Sequence, residues 1–275
     1  MKHSLLVLLV FLSCKSIDLK EIELINILEL PAEIDECSGL SFDGAQLYTI
    51  NDSGNDPIIY VLDMLNGSLK EQHLIAGSIN VDWEAVEFKS DHFWIADTGN
   101  NFGNRVDTKV YRVNPDYVVE ETIDIKFKDK VEVPSGTPHN YDIEAFTFCD
   151  EQLFFFTKNR ANAQTDVQVL DIANSGDLVL RQSIDVLGFI TDATAIPEKD
   201  LILLISQRIL NNRITNFLVV LEMNDCTFTK IKELELPIFD QAEGLCYVGD
   251  DMIFIGSEDE AGSNTQKLYQ LQLSF

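Results

Sequence analysis

Hydrophobic and polar residues alternate along the chain in short runs, and the runs recur in groups of the same order. Each group begins with a compact apolar run: Gln46–Ile50, His92–Ala96, Gln152–Phe156, Leu201–Ile205 and Met252–Ile255. After a polar loop comes an alternating segment: Ile58–Asp63, Lys109–Val113, Val167–Asp171, Phe217–Glu222 and Lys267–Leu273. A further stretch of the same kind closes the group at Leu69–Ile75, Val118–Phe127, Leu178–Val186 and Thr229–Leu236. Alternation at period two, rich in β-branched and aromatic residues, predicts strands.

Ahead of every group stands one five-residue pattern: polar, any residue, polar, small, hydrophobic. Its copies are Glu36-Cys37-Ser38-Gly39-Leu40, Asp82-Trp83-Glu84-Ala85-Val86, Asp142-Ile143-Glu144-Ala145-Phe146, Asp192-Ala193-Thr194-Ala195-Ile196 and Gln241-Ala242-Glu243-Gly244-Leu245. Their third positions are 46, 60, 50 and 49 residues apart. A repeat of this size holding four strands predicts a β-propeller. The fifth group has no fourth strand before Phe275, and Glu21–Leu30 reads as the strand that supplies it. The expected architecture is an all-β, five-bladed propeller of four-stranded antiparallel blades, closed by its N-terminal strand. Six blades is the rival, with a degenerate unit hidden in the 60-residue interval, but ten extra residues are too few to build one.

In a propeller the first strand of each blade lines the central channel, and the pattern sits where that strand begins. The loops after second strands return to the same end. They are long and polar: Asn51-Asp52-Ser53-Gly54-Asn55, Asp97-Thr98-Gly99-Asn100-Asn101, Lys158-Asn159-Arg160, Gln207-Arg208 and Ser257-Glu258-Asp259-Glu260. The other end has tight turns such as Phe42-Asp43-Gly44 and Gly249-Asp250-Asp251. Loops on a rigid scaffold carry function, so the candidate binding residues are Asn51, Asp52, Asp97, Asn100, Asn101, Arg105, Lys158, Arg160, Arg208 and Glu258.

Positions one and three of the pattern point the same way along a strand. Around the ring they supply Glu36, Asp82, Glu84, Asp142, Glu144, Asp192 and Glu243. Converging carboxylates repel one another unless something neutralises them. A hard cation is one candidate, and Ca²⁺, which takes six to eight oxygen ligands, suits this set. Ion pairs from Arg105, Lys158, Arg160 and Arg208, or backbone N–H groups, are the structural alternatives and weigh somewhat more. Trp83 is expected to pack between blades, and His139 to be a solvated loop residue on the functional face.

Charge narrows the partners. Acidic residues number 46 against 20 basic ones, a net charge of −26, which argues against nucleic acid. No apolar run is long enough to span a bilayer. Met1-Lys2-His3 followed by apolar Ser4–Leu12 has the form of a signal segment, ending in Phe11-Leu12-Ser13-Cys14. This resembles a bacterial lipobox and implies lipidation at Cys14, with residues 14–20 a tether to the bilayer. Lys15 rather than Asp follows, so retention in the inner membrane is not signalled; the expected address is the outer membrane, facing the periplasm or the cell surface. Cys37, Cys149, Cys226 and Cys246 form no CxxC pair, and buried free thiols are expected although export permits a disulfide.

Val81-Asp82-Trp83-Glu84, Ile95-Ala96-Asp97-Thr98-Gly99-Asn100-Asn101, Gly103-Asn104-Arg105 and Lys109-Val110-Tyr111-Arg112 together resemble a group of exported Bacteroidetes propeller lipoproteins of unknown function. Glu36-Cys37-Ser38-Gly39-Leu40 and Asn51-Asp52-Ser53-Gly54-Asn55 fit the same group. The Glu-Gly-Leu and Glu-Ala-Val copies are more distantly similar to the SdiA-regulated and the phytase-like esterase propellers. Two functions follow as expectations. One is a monomeric, lipid-anchored binding module whose long-loop face takes a small molecule, a glycan or a protein. The other is a Ca²⁺-dependent hydrolase of phosphoesters, esters or lactones at the channel mouth. There is no Gly-x-Ser-x-Gly, His-Glu-x-x-His or phosphate loop, which favours binding.

Overall fold

A computed structural model describes residues 18–134, 136–171, 176–258 and 266–275. The signal segment, Cys14, the first residues of the tether, and Asp259 and Glu260 lie outside the described residues. Five separate sheets are present. Blade 1 is β2 (Cys37–Phe42), β3 (Leu47–Asn51), β4 (Ile58–Leu62) and β5 (Leu69–Leu74); blade 2 is β6 (Trp83–Lys89), β7 (His92–Asp97), β8 (Lys109–Val113) and β9 (Val119–Asp124). Blade 3 is β11 (Ile143–Cys149), β12 (Gln152–Thr157), β13 (Thr165–Asp171) and β14 (Asp177–Ile184), with β10 (Lys126–Phe127) added in parallel at its edge. Blade 4 is β15 (Phe189–Ile196), β16 (Leu201–Leu210), β17 (Arg213–Asn224) and β18 (Thr227–Glu235). Blade 5 is β19 (Ala242–Gly249), β20 (Met252–Ser257), β21 (Lys267–Ser274) and, from the other end of the chain, β1 (Glu21–Glu29).

The ring is closed by packing as well as by β1. The apolar faces of the blades meet in five clusters, one at each junction. Tyr48, Ile59 and Val61 of blade 1 pack on Trp83, Val86 and Phe93 of blade 2. Leu40, Leu47 and Leu62 of the same blade pack on Cys246, Phe254 and Leu268 of blade 5. Five junctions for five blades exclude the six-bladed alternative. The long interval after blade 2 is accounted for by β10 and the irregular segment leading to β11. Gly39 shows how tightly the inner strands meet: its φ is +87°, and a Cβ there would stand 2.9 Å from the backbone nitrogen of Val86.

Turns at the two ends differ as expected. One end carries tight reversals in which both central residues have positive φ, at Ser90-Asp91, Asp225-Cys226 and Asp250-Asp251, the conformation of a type I′ hairpin. The opposite end carries the long loops.

Four expectations about the strands, the cysteines and the N-terminal segment need correction. In blade 4 the second-strand end is no loop at Gln207-Arg208: β16 runs on to Leu210 and turns through Asn211-Asn212, both at positive φ, into β17. The fourth copy of the pattern is out of phase, as the strand register shows below. Cys149 and Cys226 are disulfide-bonded, joining the end of β11 to the β17–β18 turn of the next blade, whereas Cys37 and Cys246 are buried thiols. Finally, residues 18–20, expected to belong to a tether, pack on the ring. Leu19 is fully buried in the blade 4–blade 5 cluster, Lys20 N–H donates to the Ser274 carbonyl at 2.7 Å, and Asp18 pairs with Lys232.

Candidate functional site

Every inner strand begins with a β-bulge opposite the second strand. The register slips between Trp83 and Ala85, between Ile143 and Ala145, and between Ala242 and Gly244, leaving Glu84, Glu144 and Glu243 unpaired in the ladder. These are position three of the pattern, so the pattern is the sequence of the bulge. All three glutamates are buried. In blade 4 the slip falls between Ile190 and Asp192, so Thr191, and not Thr194, is the equivalent residue. Asp192 is therefore equivalent to Ala85 and Ala145, one residue past the bulge and three beyond Asp82 and Asp142, and lies deeper in the channel than those two. In blade 1 Ser38 occupies the bulge and donates to the Glu84 carbonyl at 3.0 Å.

A second ring of equivalent positions follows the second strands. The N–H groups of Asp52, Thr98, Lys158 and Glu258 donate to the carbonyls of Glu36, Asp82, Asp142 and Gln241, the first residues of the pattern. Inner-strand start and second-strand end are thus clamped together, and their side chains share the mouth of the channel.

The mouth is divided electrostatically. On one side cations meet carboxylates. Lys158 Nζ donates to Glu144 Oε2 at 2.6 Å, and Arg160 makes two bonds to Asp142 Oδ2 at 2.7 and 3.0 Å. Burial would lower the Lys158 pKa, but Glu144, Glu243 and Glu84 around it raise it instead. Arg105 lies between Asp97 Oδ1 (2.9 Å) and Asp82 Oδ2 (3.8 Å), and donates to the Gly99 carbonyl.

Beside them three carboxylates crowd together, of which, among the described residues, Asp82 alone has an ion pair, the one to Arg105. Carboxylate oxygens of Asp52, Asp82 and Glu84 lie within 4.8 Å of one another. Among the described residues the Glu84 carboxylate has no hydrogen bond and no ion pair within 4 Å, although the residue is only 6% exposed. Burial, followed by repulsion from Glu144 and Asp52, pushes its pKa well above the usual range. Burial and Asp82 push Asp52 up to about 7, and burial with Glu243 pushes Glu258 up to about 9. Gly99 makes room for this group: a Cβ there would stand 2.5 Å from Asp82 Oδ2 and closer still to Glu84 Oε1. Oxygens this close fit the 2.3–2.6 Å bonds of a shared Ca²⁺, whose opposed ligands stand about 5 Å apart. Glu243 is held by Gln241 and Gln207, and Gln241 also reaches Glu258 at 2.7 Å.

Other candidates are placed elsewhere. Asn51 and Asn100 are buried and hold inter-blade loops, through the Glu33 and Tyr141 carbonyls respectively. Asn100 N–H also donates to Asp142 at 2.6 Å. Asn101 is exposed and meets Arg160. Glu36 is exposed at the rim, bonded to Asn55. Arg208 turns away from the axis, stacking 4.0 Å over the Phe217 ring and pairing with Glu233 at 2.7 Å. Trp83 is fully buried, as expected of a packing residue, with Nε1 donating to the Ile79 carbonyl. His139 is buried and not solvated: Nδ1 accepts from Tyr141 N–H, and Nε2 faces the Asn101 carbonyl at 3.3 Å.

Glu87, three residues beyond the Glu84 bulge, was not singled out by the pattern. It is half-buried beside Thr147, which donates to it at 3.2 Å, and desolvation of its carboxylate pushes its pKa up to about 8. Its signal was a charged residue inside an apolar inner strand.

No known family model matches the chain, and no curated protein matches it. Solved structures do. The chain is similar to a chain of the mitotic checkpoint complex at 13% identity, covering 84% of this chain and 62% of that one, with a TM-score of 0.41. It is similar to Kuenenia stuttgartiensis hydrazine synthase (12% identity, 83% and 66% covered, TM-score 0.42) and to the Neurospora crassa Pan2 WD40 domain (11%, 89% and 64%, TM-score 0.44). It spans a little under two thirds of each of those chains. The five-blade architecture rests on this chain's own sheet order and junctions.

Proposed function

We propose that the protein is an exported, lipid-anchored β-propeller that works as a binding module, with a cation held at the channel mouth by Asp52, Asp82 and Glu84. The observation that carries this reading is the Glu84 carboxylate at the mouth. Asp142 and Glu144 have Lys158 and Arg160 against them, but Glu84 has no partner among the described residues. A buried carboxylate with no directly bonded cation, reached by Lys158 and Arg160 only at longer range, is costly, and a ligand of positive charge lowers that cost. Ca²⁺ is the candidate because every donor here is a hard oxygen. The site takes its ligand, a small molecule, glycan or protein, on the long-loop face.

Export is supported by the Cys149–Cys226 bond, since structural disulfides persist in oxidising compartments. The chain enters β1 at the tight-turn end, because β1 runs antiparallel to β21 and pairs Glu21 with Ser274. An acyl chain on Cys14 would then leave the channel mouth facing away from the bilayer. Hydrolysis at the same mouth is less well supported, because Arg105, Lys158 and Arg160, which would have to receive an anionic substrate group, are already engaged by carboxylates.

The test is thermal melting with EDTA and with Ca²⁺, for wild type and Glu84→Gln. A ligand preferring the native state stabilises it by RT ln(1 + [L]/Kd), about 2.7 kcal/mol at a hundredfold excess over Kd. A Ca²⁺-dependent rise in wild type that shrinks in the variant is expected; a chelator-insensitive protein stabilised by Glu84→Gln overturns the cation site. Partition into the Triton X-114 detergent phase that survives Cys14→Ala would overturn the anchor.

A further inference from the structure

We propose that the free edge of the β16–β17 hairpin, together with the apolar groove beside it, receives an extended segment of a partner polypeptide as an added strand. This site lies on blade 4 and does not depend on the cation at the mouth.

The hairpin outruns its neighbours. β15 pairs with β16 only as far as Gln207, and β18 pairs with β17 only from Phe217. Residues 208–210 and 213–216 therefore continue as a two-stranded ribbon on the long-loop side, held in register by the Asn211-Asn212 turn. On the β17 side the last bond to the neighbouring chain is Leu236 N–H to the Asn216 carbonyl at 2.8 Å. Backbone groups of alternate residues face the same side, so the N–H and C=O of Ile214 point out beyond the end of β18. No described residue bonds them there.

The space they face is a groove of about 470 Å³ between the hairpin and the loop that leads into β19. Leu236 and Ile238 are buried along its wall, and Phe239 stands 78% exposed at its rim. Ile209, on the other strand of the ribbon, is 72% exposed. An unpaired edge recognises one chemistry above others, a polypeptide in extended conformation, because main-chain bonds supply affinity and pockets for alternate side chains supply selection. A second copy of this chain would bring another −26 charges to the edge, so the segment expected is one of net positive charge with an apolar residue to set against Phe239 and Ile238.

The experiment pans a display library of short random linear peptides against the wild-type protein, with counter-selection on Phe239→Ala, whose exposed ring leaves the fold untouched. Enriched peptides should alternate apolar with basic or neutral residues, protect the Ile214 amide from hydrogen exchange, and bind Phe239→Ala about tenfold more weakly. Backbone N-methylation of the peptide should abolish binding, since it removes the ladder bonds and keeps the side chains. Ile214→Pro, which deletes the outward N–H, should do the same while the melting transition stays cooperative. The proposal is overturned if nothing is enriched over the counter-selection, if N-methylated peptides bind equally, or if the Ile214 amide is not protected. It is equally overturned if sedimentation shows a dimer that Phe239→Ala dissolves, for then a second copy is the occupant.

Discussion

Asp192 Oδ2 accepts the backbone N–H of Leu245 from the neighbouring blade at 2.6 Å. The same carboxylate takes its own Ala193 N–H at 2.7 Å and is held by Leu40 N–H of blade 1. Blades 1, 4 and 5 are thus tied to one fully buried side chain below the acidic mouth. These bonds fit a role in attaching blades to one another. Asp192→Ala would orphan these donors, each worth about 1–3 kcal/mol when buried and unmade. Urea unfolding should show a loss of about 3 kcal/mol or more, with the response to Ca²⁺ retained. A loss below about 1 kcal/mol would mean that Asp192 does not hold the ring.

Gly99 tests the mouth from the opposite direction. Its missing side chain is the space that the Asp82 and Glu84 carboxylates fill. Gly99→Ala should displace both while leaving the inter-blade clusters intact. The expected outcome is a folded protein, within about 2 kcal/mol of wild type, whose melting temperature no longer responds to Ca²⁺. An undiminished response would place the cation elsewhere.

Stability should fall as pH rises in cation-free buffer. Asp52, Glu84 and Glu258 have folded-state pKa values raised above those of the unfolded chain, to about 7 for Asp52 and about 9 for Glu258. Above about pH 4 the unfolded chain has released protons that the folded one still holds, so each group's contribution is complete at acid pH and is lost as pH rises through its folded value. Melting temperatures in EDTA should decline from about pH 5 to about pH 9. Ca²⁺ should flatten the decline by taking the place of the protons. A rise over the same range with EDTA would contradict the crowded mouth.

The strands and the closing strand were legible because alternation and the bulge pattern repeat; Glu84, Glu144 and Glu243 were found through that repeat. Blade 4 is deceptive in sequence because its bulge residue is Thr191, while Asp192-Ala193-Thr194-Ala195-Ile196 imitates the pattern three residues later. The ribbon beyond Gln207 is hidden in the sequence because Arg208 breaks the apolar run with a charge, although its guanidinium covers Phe217. Which carboxylates are neutralised was not legible at all. That depends on where flexible Arg and Lys side chains point, and a one-dimensional pattern does not hold that information.

The disulfide joins residues 77 apart, a separation that composition could not connect. It clamps blade 3 to blade 4 at the end away from the channel mouth. Its loss is expected to cost about 2–4 kcal/mol through the freedom returned to the unfolded chain. Dithiothreitol should therefore lower the melting temperature of wild type and leave a Cys149→Ala/Cys226→Ala protein unchanged. Equal melting of the oxidised and reduced forms would show that the ring does not need this clamp.

The N-terminal segment supplies the last test, because its packing begins before the strand. Leu19 is fully buried against blades 4 and 5, and Lys20 extends the β1–β21 pairing by one bond. Leu19→Ala should cost about 2–4 kcal/mol, the range for emptying a buried leucine site. Removal of residues up to Glu29 goes further, exposing the whole edge of β21 and the apolar faces on which Leu24 and Leu28 lie. Aggregation is the expected result, since an uncovered long edge recruits other chains. Adding the missing strand back as a separate peptide should restore a soluble, cooperatively melting ring, because β1 is bound to the rest chiefly through β21. A truncated protein that stayed soluble and melted cooperatively without the peptide would show that four and three-quarter blades suffice, and closure by β1 would lose its structural role.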